Sequence, residues 1–157
     1  MTTAPSSADI DLVTMSVADA HFGVPVLKVR DVLDSPATYP VPLAPAEIRG
    51  SINLRGRIVT AIDLRMRLGL PPRDPALPSK CVIVDSEAAG EPYAFIVDEV
   101  GDVLTVSAKD YEPNPITLSR EWSGLCQGLY RRESTLLLVL DTQAVLRIET
   151  RKFERVA

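Results

Sequence analysis

Short apolar runs recur along the chain, and turn residues bound each of them. The runs are rich in Val, Ile, Leu and aromatic residues, a composition typical of β-strands. The clearest runs are Ile10–Val17, Val26–Leu33, Ile52–Leu54, Ile58–Ile62, Cys81–Val84, Tyr93–Val97, Val103–Val106 and Leu136–Leu140. Only two segments predict helices, Leu64–Leu68 and Thr142–Ile148, and each follows an aspartate suited to cap it. The pattern predicts a mainly β protein with short helices.

Proline marks the predicted loops. Four prolines fall within residues 35–46, four within residues 70–79, and two flank Asn114. Because proline has no backbone N–H for a ladder hydrogen bond, it is excluded from central strands. These three clusters therefore predict loops between the strands.

The chain matches itself at an offset of 78 residues. The matched pairs are Gly50 and Gly128, Ile58–Ile62 and Leu136–Leu140, Asp63 and Asp141, and Leu68 and Leu146. Each unit reads glycine, strand, polar turn, apolar strand, aspartate, helix. Neither unit is long enough to bury a good core alone, so we expect two small barrels packed on one another rather than one sandwich. A chance likeness between two hairpins is the alternative.

Length and composition favour one folded domain without a membrane span. The 157 residues are 46% hydrophobic and 24% charged, which is enough apolar material for a core. No apolar run approaches the roughly 20 residues of a membrane helix, and residues 1–9 have no secretory pattern. We therefore expect a disordered N-terminal tail at residues 1–9, a single domain at residues 10–157, and a cytoplasmic protein.

Motifs for catalysis and cofactor binding are missing from the sequence. The eight glycines are scattered, so neither a Rossmann turn nor a phosphate loop is formed. His21 fits a turn or a strand edge better than a catalytic base, and Asp98 and Glu99 have no partner with a defined role. Cys81 and Cys126 are too few for a disulfide or metal framework. We expect no enzyme, no cofactor and no metal site, although an unusually reactive thiol at Cys81 would favour an enzyme.

Charge is unevenly spread along the chain. Residues 47–67 carry five arginines against two acids, a net charge of +3, whereas residues 85–112 carry eight acids against one lysine, a net charge of −7. Such a pattern suits charged partners on different faces, and ordinary solvated surface is the alternative. A small β-barrel that binds nucleic acid through Arg49, Arg55 and Arg57 is the second function considered. The overall charge of −4 and the lack of aromatic residues among these arginines argue against it.

The segment from Pro40 to Val59, with its core Gly50-Ser51-Ile52-Asn53-Leu54-Arg55-Gly56, resembles the signature of the CheW family of bacterial chemotaxis coupling proteins. Asp63-Leu64-Arg65, Phe95–Val100 and Leu136–Leu140 followed by Asp141 continue the likeness, which covers about residues 10–150. The resemblance implies two five-stranded SH3-like β-barrel subdomains, intertwined around a shared core, without catalytic activity. Thr60-Ala61 stands where the family usually has a strand proline, and Cys81 replaces a typical valine or threonine.

The resemblance also implies partners. CheW-like adaptors join the cytoplasmic tip of methyl-accepting chemoreceptors to the histidine kinase CheA, whose regulatory domain has the same fold. A cytoplasmic protein recruited to membrane-associated receptor arrays is therefore expected, with no direct membrane insertion and no nucleic acid.

Several positions of the chain match functional positions of the family. Arg55, within Asn53-Leu54-Arg55-Gly56, resembles the functional arginine, and Asp31 resembles the acidic residue that pairs with it. Val29, Cys81 and Val103 fall on apolar positions implicated in receptor binding, and strand core is the alternative for these three. Gly50, Asp63 and Asp141 are the structural positions of the motif.

Overall fold

Eleven strands and three short α-helices make up the part of the chain that the computed structural model describes, residues 9–34, 36–74, 76–87 and 90–147. The strands are β1 (Ile10–Val17), β2 (Ala20–Pro25), β3 (Val29–Asp34), β4 (Ile48–Leu54), β5 (Arg57–Asp63), β6 (Lys80–Asp85), β7 (Pro92–Val97), β8 (Glu99–Val106), β9 (Tyr111–Glu112), β10 (Cys126–Arg132) and β11 (Thr135–Leu140). The helices are α1 (Leu64–Arg67), α2 (Arg120–Ser123) and α3 (residues 142–147). No helix in these ranges is long and apolar enough to cross a membrane.

The strands form two sheets. A central sheet has the strand order β3-β6-β7-β5-β4, and a terminal sheet has the order β8-β1-β2-β11-β10-β9. Strands β1 and β2 belong to the terminal sheet, β3 to β7 form the whole central sheet, and β8 to β11 complete the terminal sheet. The two β-subdomains are therefore intertwined. The predicted ranges for tail and domain remain predictions, because residues 1–8 and 148–157 lie outside the described residues.

The two sheets repeat one pairing scheme. Hairpins β4–β5 and β10–β11 are antiparallel, and the second strand of each pairs in parallel with β7 or β2. The matched pairs are Ile48 with Ile62 and Cys126 with Leu140, Gly50 with Ala61 and Gly128 with Val139, and Leu54 with Arg57 and Arg132 with Thr135. Both ladders also shift register just before the glycine. Because a chance likeness would not reproduce this irregularity, the predicted repeat is confirmed as a structural one.

The sheets differ from the expected pair of five-stranded barrels in two ways, an additional edge strand and ladders that do not close. The terminal sheet has a sixth strand, β9, whose Glu112 pairs with Leu129. Ser51 is the residue of the central sheet that matches Leu129 at the offset of 78 residues. It forms only an isolated bridge, with Tyr39. The ladders are open within the described residues, and side chains join their edges instead. Arg55, between β4 and β5, pairs with Asp31 of β3, and Arg132 of β10 donates to the carbonyl oxygen of Thr105 on β8.

Alternation along the strands separates three apolar clusters. In β6, Cys81 and Ile83 face the small core of the central sheet, whereas Val82 and Val84 face a core shared by both sheets. A second small core, which contains Tyr130, lies in the terminal sheet. Complete burial of one such aliphatic or aromatic side chain contributes about 1.5–3 kcal/mol. The shared core therefore holds the two β-subdomains together.

A few elements differ from the sequence predictions. The predicted strand Val26–Leu33 begins with a 3-10 turn at Val26–Lys28, and β2, β9 and α2 are not among the predicted elements. β2 contains the exposed His21 and a glycine, so it does not resemble an apolar run. β10 contains a glycine and two arginines, and only the repeat predicts it, as the strand after Gly128. Helix α1 ends at Arg67 with Leu68 as its C-cap. Ile148, the predicted end of α3, lies outside the described residues.

Candidate functional site

A tight turn presents Arg55 at the end of the β4–β5 hairpin. Arg55 and Gly56 both have positive φ, +51° and +87°, as a two-residue hairpin turn requires. The side-chain oxygen of Asn53 accepts a hydrogen bond from the Gly56 N–H at 2.8 Å. Glycine is suited to this conformation because it has no Cβ. Asn53 and Gly56 therefore shape the turn, and Arg55 is the side chain that the turn displays.

Arg55 forms an exposed ion pair with Asp31. Its Nη2 lies 2.8 Å from Oδ2 of Asp31, while Oδ1 of the same carboxylate accepts from the Val32 N–H at 2.8 Å. The Arg55 side chain is 78% exposed and that of Asp31 is 25% exposed. Pairs of such exposure contribute about 0–1 kcal/mol to folding. The pair holds a charged group in place at the surface and adds little to stability.

The repeat shows that the fold does not require this arginine. At the position 78 residues after Arg55, the β10–β11 turn carries Glu133, also with a positive φ of +50°. On the edge strand of the terminal sheet, Asp102 and Val103 correspond through the ladders to Asp31 and Val32 of the central sheet. The corresponding turn and edge-strand residues of the terminal sheet are thus both acidic. The Arg55–Asp31 pair is a property of one repeat, which favours a role in binding over a role in folding.

Exposed apolar side chains flank the ion pair. Val32, next to Asp31, is 39% exposed, and Ile58, the cross-strand partner of Asn53, is 73% exposed. Ile58 lies in a predicted strand and is not among the residues predicted to bind a partner. The alternation of β5 held the signal, since Val59 and Ala61 face the small core and Ile58 must then face outward. A charged pair beside apolar side chains is the composition of a protein docking surface.

Of the three apolar candidates, Val29 and Val103 reach the surface and Cys81 does not. Val29, at the start of β3, is half-buried and packs against the shared core, whereas Val103 on β8 is 52% exposed. Cys81 is 1% exposed and lies in the small core of the central sheet. It is therefore a strand-core residue, which was the alternative to a role in receptor binding. Burial raises the pKa of the Cys81 thiol to about 12 despite the nearby charge of Arg49. Burial likewise raises the pKa of Cys126 to about 12.

The structural positions of the motif have clear tasks. A Cβ on Gly50 would lie 2.2 Å from the carbonyl oxygen of Tyr39, so only glycine lets the preceding loop bridge β4. Asp63 accepts hydrogen bonds from the first backbone N–H groups of α1, and Asp141 accepts one from Ala144 at the start of α3. Both predicted helix caps are confirmed.

The arginines of the basic segment are largely engaged within the protein. Their partners are Asp63 for Arg49, Asp31 for Arg55, Asp98 for Arg65, and the carbonyl oxygens of Ala144 and Val145 for Arg67. A nucleic-acid surface needs arginines that are available to neutralise phosphates. This arrangement does not support the nucleic-acid alternative.

Asp98 has the partners that the sequence did not reveal. Arg65 donates to both of its carboxylate oxygens, at 3.0 and 2.7 Å, and Nη1 of Arg73 lies 2.8 Å from Oδ1. Burial raises the pKa of this carboxyl, but the hydrogen bonds from Arg65, Ala18 and Arg73 outweigh burial and leave the pKa below its usual value. Within the described residues, no group of three or more His, Cys, Asp or Glu side chains is placed to hold a metal ion.

Known proteins resemble this chain over most of its length. A family model of the CheW-like domain matches residues 11–150. Chemotaxis protein CheW of Rhizobium meliloti is 32% identical over 142 residues, 90% of each chain, and chemotaxis protein CheW of Bacillus subtilis is 29% identical over 86% of this chain and 85% of its own. The crystal structure of the scaffolding protein TtCheW from Thermoanaerobacter tengcongensis superimposes with a TM-score of 0.79, at 25% identity, over 88% of this chain and 92% of that one. The chain therefore belongs to the CheW-like family.

Proposed function

We propose that this protein is a non-enzymatic adaptor that couples methyl-accepting chemoreceptors to the histidine kinase CheA in chemotaxis. The observation that carries the proposal is the exposed Arg55–Asp31 pair on a CheW-like scaffold. In the resemblance of the sequence to the family, Arg55 and Asp31 match the functional arginine and its acidic partner, and the second repeat carries Glu133 in place of the arginine. An adaptor of this kind requires a docking surface for each partner and catalyses no chemical reaction at either surface.

The receptor partner is a helical hairpin, and we assign its tip to the surface that includes Arg55, Asp31 and exposed valines. A helix docks by laying an apolar stripe against apolar side chains, with an ionic rim that sets its register. Val103 is exposed for such a contact, and Val29 can add the outer part of its half-buried side chain. Asn53 and Gly56 contribute indirectly through the turn that presents Arg55.

The kinase partner is the regulatory domain of CheA, which has the same fold as this chain in the resemblance that the sequence shows. Two similar β-subdomains in each protein permit barrel-to-barrel contacts at either end. An interface of standard size buries roughly 1,200–2,000 Å², and a dissociation constant of the order of micromolar corresponds to about −8 kcal/mol. Exchange within an array remains fast at that affinity. The proposal places the adaptor in the cytoplasm, recruited to membrane-associated receptor arrays, without a cofactor.

Charge reversal at Arg55 tests the assignment of the site. Arg55→Glu puts a carboxylate beside Asp31 and removes the displayed guanidinium, so we expect binding to a receptor cytoplasmic fragment to fall at least several-fold in calorimetric titration. Arg57→Glu is the matched control, because Arg57 is also exposed and lies on the same hairpin. The melting temperature of both variants should stay near that of the wild type.

Two outcomes would contradict this assignment. One is an equal loss of binding in the Arg55→Glu and Arg57→Glu variants, which would indicate a general charge effect. The other is unfolding of the Arg55→Glu variant. A double variant with Asp31→Arg and Arg55→Asp should regain part of the lost affinity if the two residues act as a pair.

A further inference from the structure

Asp98 occupies the point where the chain passes between the two β-subdomains. Strand β7 of the central sheet ends at Val97, and strand β8 of the terminal sheet begins at Glu99. Asp98 is the single residue between them, and it is 9% exposed. A carboxylate is costly to bury unless charged or polar groups surround it. The groups that surround Asp98 come from both sheets.

Four groups hold this residue. From the central sheet side, Arg65 of α1 donates through Nε at 3.0 Å and Nη2 at 2.7 Å, and Nη1 of Arg73 lies at 2.8 Å. From the terminal sheet, the Ala18 N–H donates to Oδ2 at 2.8 Å, and the Asp98 N–H donates to the carbonyl oxygen of Ser16 at 3.0 Å. The β1–β2 turn is thereby tied to α1 and to the proline-rich loop.

The two guanidinium groups are themselves anchored. Nη1 of Arg65 donates to the carbonyl oxygen of Pro71 at 3.1 Å, and Nη2 of Arg73 donates to that of Pro78. The side chains of Arg65, Arg73 and Asp98 are 19%, 14% and 12% exposed. Water therefore competes weakly for these bonds, and bidentate guanidinium–carboxylate bonds fix direction as well as distance.

The shared apolar core constrains the distance between the two sheets, whereas the charged cluster constrains their relative orientation. Apolar packing is not directional, so the core holds the sheets close together without specifying one angle between them. We propose that Asp98, with Arg65 and Arg73, is a positioning cluster that fixes the angle between the two β-subdomains. The docking residues Arg55 of the central sheet and Val103 of the terminal sheet are then presented in one fixed geometry. This functional consequence rests on the proposed adaptor role, whereas the angle itself does not.

A distance measurement between the subdomains tests the proposal directly. Spin labels on Arg57→Cys and Glu133→Cys report on the two sheets, and the buried thiols of Cys81 and Cys126 react slowly with the label. Asp98→Asn removes the anion shared by two guanidinium groups, which then repel one another. We expect a narrow distance distribution in the otherwise unchanged protein and a clearly broader one with Asp98→Asn.

Asp63→Asn is the matched control for this measurement. Asp63 is another buried carboxylate paired with an arginine, Arg49, but both residues belong to the central sheet. Its loss should lower stability without broadening the distribution. A narrow distribution for Asp98→Asn would overturn the proposal. If Asp98→Asn does not fold, Arg73→Gln replaces it, because Arg65 then keeps its bidentate contact with Asp98 and the variant should fold. An unchanged width of the distance distribution for Arg73→Gln would equally overturn the proposal.

A second readout separates positioning from a merely structural role. Asp98→Asn should bind the kinase regulatory domain with an affinity within about twofold of the wild type, roughly 0.4 kcal/mol. It should bind the receptor fragment more weakly, because the receptor surface uses residues of both sheets, and it should lose receptor-dependent kinase activation. Asp63→Asn should keep all three properties. Full activation by Asp98→Asn would overturn the proposed positioning role. If the wild-type protein bound neither partner, the adaptor function would fail instead, while the distance measurement would still decide whether Asp98 fixes the angle.

Discussion

Two aspartates of this protein each accept hydrogen bonds from a guanidinium group, and their surroundings give the two pairs different tasks. Asp31 and Arg55 meet in solvent, where an ion pair contributes little to folding. Asp98 meets Arg65 and Arg73 in a largely buried cluster, where breaking the pair would leave charges without a partner. Exposure therefore separates a residue available to another protein from a residue that holds this protein together.

The two buried thiols lead to a prediction about their reactivity and about stability at alkaline pH. A pKa of about 12 in place of 9.0 lowers the thiolate fraction at pH 8 about 1,000-fold, so Cys81 and Cys126 should react with a thiol reagent mainly after the protein opens. Because the pKa is raised in the folded state, the thiols contribute stability that is complete below pH 9 and is lost as the pH rises from 9 to about 12.

Reagent kinetics and alkaline melting curves check this prediction. A variant with alanine at both positions should lose less stability between pH 9 and 12 than the wild type does. Rapid modification of either thiol in the folded protein at pH 8, at the rate of free cysteine, would contradict the buried positions of both residues.

At the scale of elements, the β4–β5 hairpin combines a structural end and a displayed end. Gly50 lies where the preceding loop crosses β4, and Gly56 lies in the turn beside Arg55. A Cβ at Gly50 would meet a main-chain oxygen at 2.2 Å, whereas nothing lies within 4 Å of a Cβ at Gly56. The same hairpin therefore tolerates change at one end and resists it at the other.

Alanine substitutions at the two glycines should separate these ends. Gly50→Ala forces the Tyr39 segment off β4 and should cost about 2–4 kcal/mol. Gly56→Ala pays only for the positive φ, about 1 kcal/mol. Urea denaturation measures both, and equal losses in the two variants would contradict the close approach of Tyr39 to Gly50.

Local signals made much of this architecture predictable. The glycines, the capping aspartates and the alternation of the apolar strands depend on near neighbours, so the repeat could be found from the sequence. β2 is not predicted by the pattern because His21 and Gly23 interrupt its apolar residues, whereas the repeat predicts β10 as the strand after Gly128. The partners of Asp98 could not be predicted, since Arg65 is 33 residues away and is brought close by tertiary packing. Cys81 lies in an apolar run that fits either a groove or strand core, and its burial in the small core of the central sheet selects strand core.

At the scale of the whole molecule, two similar β-subdomains are intertwined, and only one carries the arginine site. Hairpin β1–β2 completes the terminal sheet although it begins the chain. The two repeats share the pairing of their strands, but Arg55 is replaced by Glu133, and the positive φ of Gly56 has no counterpart at Ser134. Because the repeats differ at the turn and at the edge strand, the two β-subdomains do not present equivalent surfaces, as a protein that couples two different partners requires.

Receptor docking at the edge strand of the terminal sheet gives a further prediction. Val103→Asp places a carboxylate against the apolar stripe of a helix, so receptor binding should weaken at least several-fold while kinase binding changes much less. Ile116→Asp is the control, because Ile116 is a fully exposed apolar residue in a loop. Equal effects of both variants on receptor titration, or a lowered melting temperature for Val103→Asp, would show that Val103 is not a docking residue.

Receptor-dependent kinase activity tests the adaptor function most directly. The measurement is autophosphorylation of CheA mixed with a receptor cytoplasmic fragment, with increasing amounts of this protein. We expect kinase activity to rise with added protein to a plateau and to require the receptor fragment. The Arg57→Glu variant should support this activation, and the Arg55→Glu variant should not. Kinase activity that is the same with and without this protein would contradict the proposed coupling role.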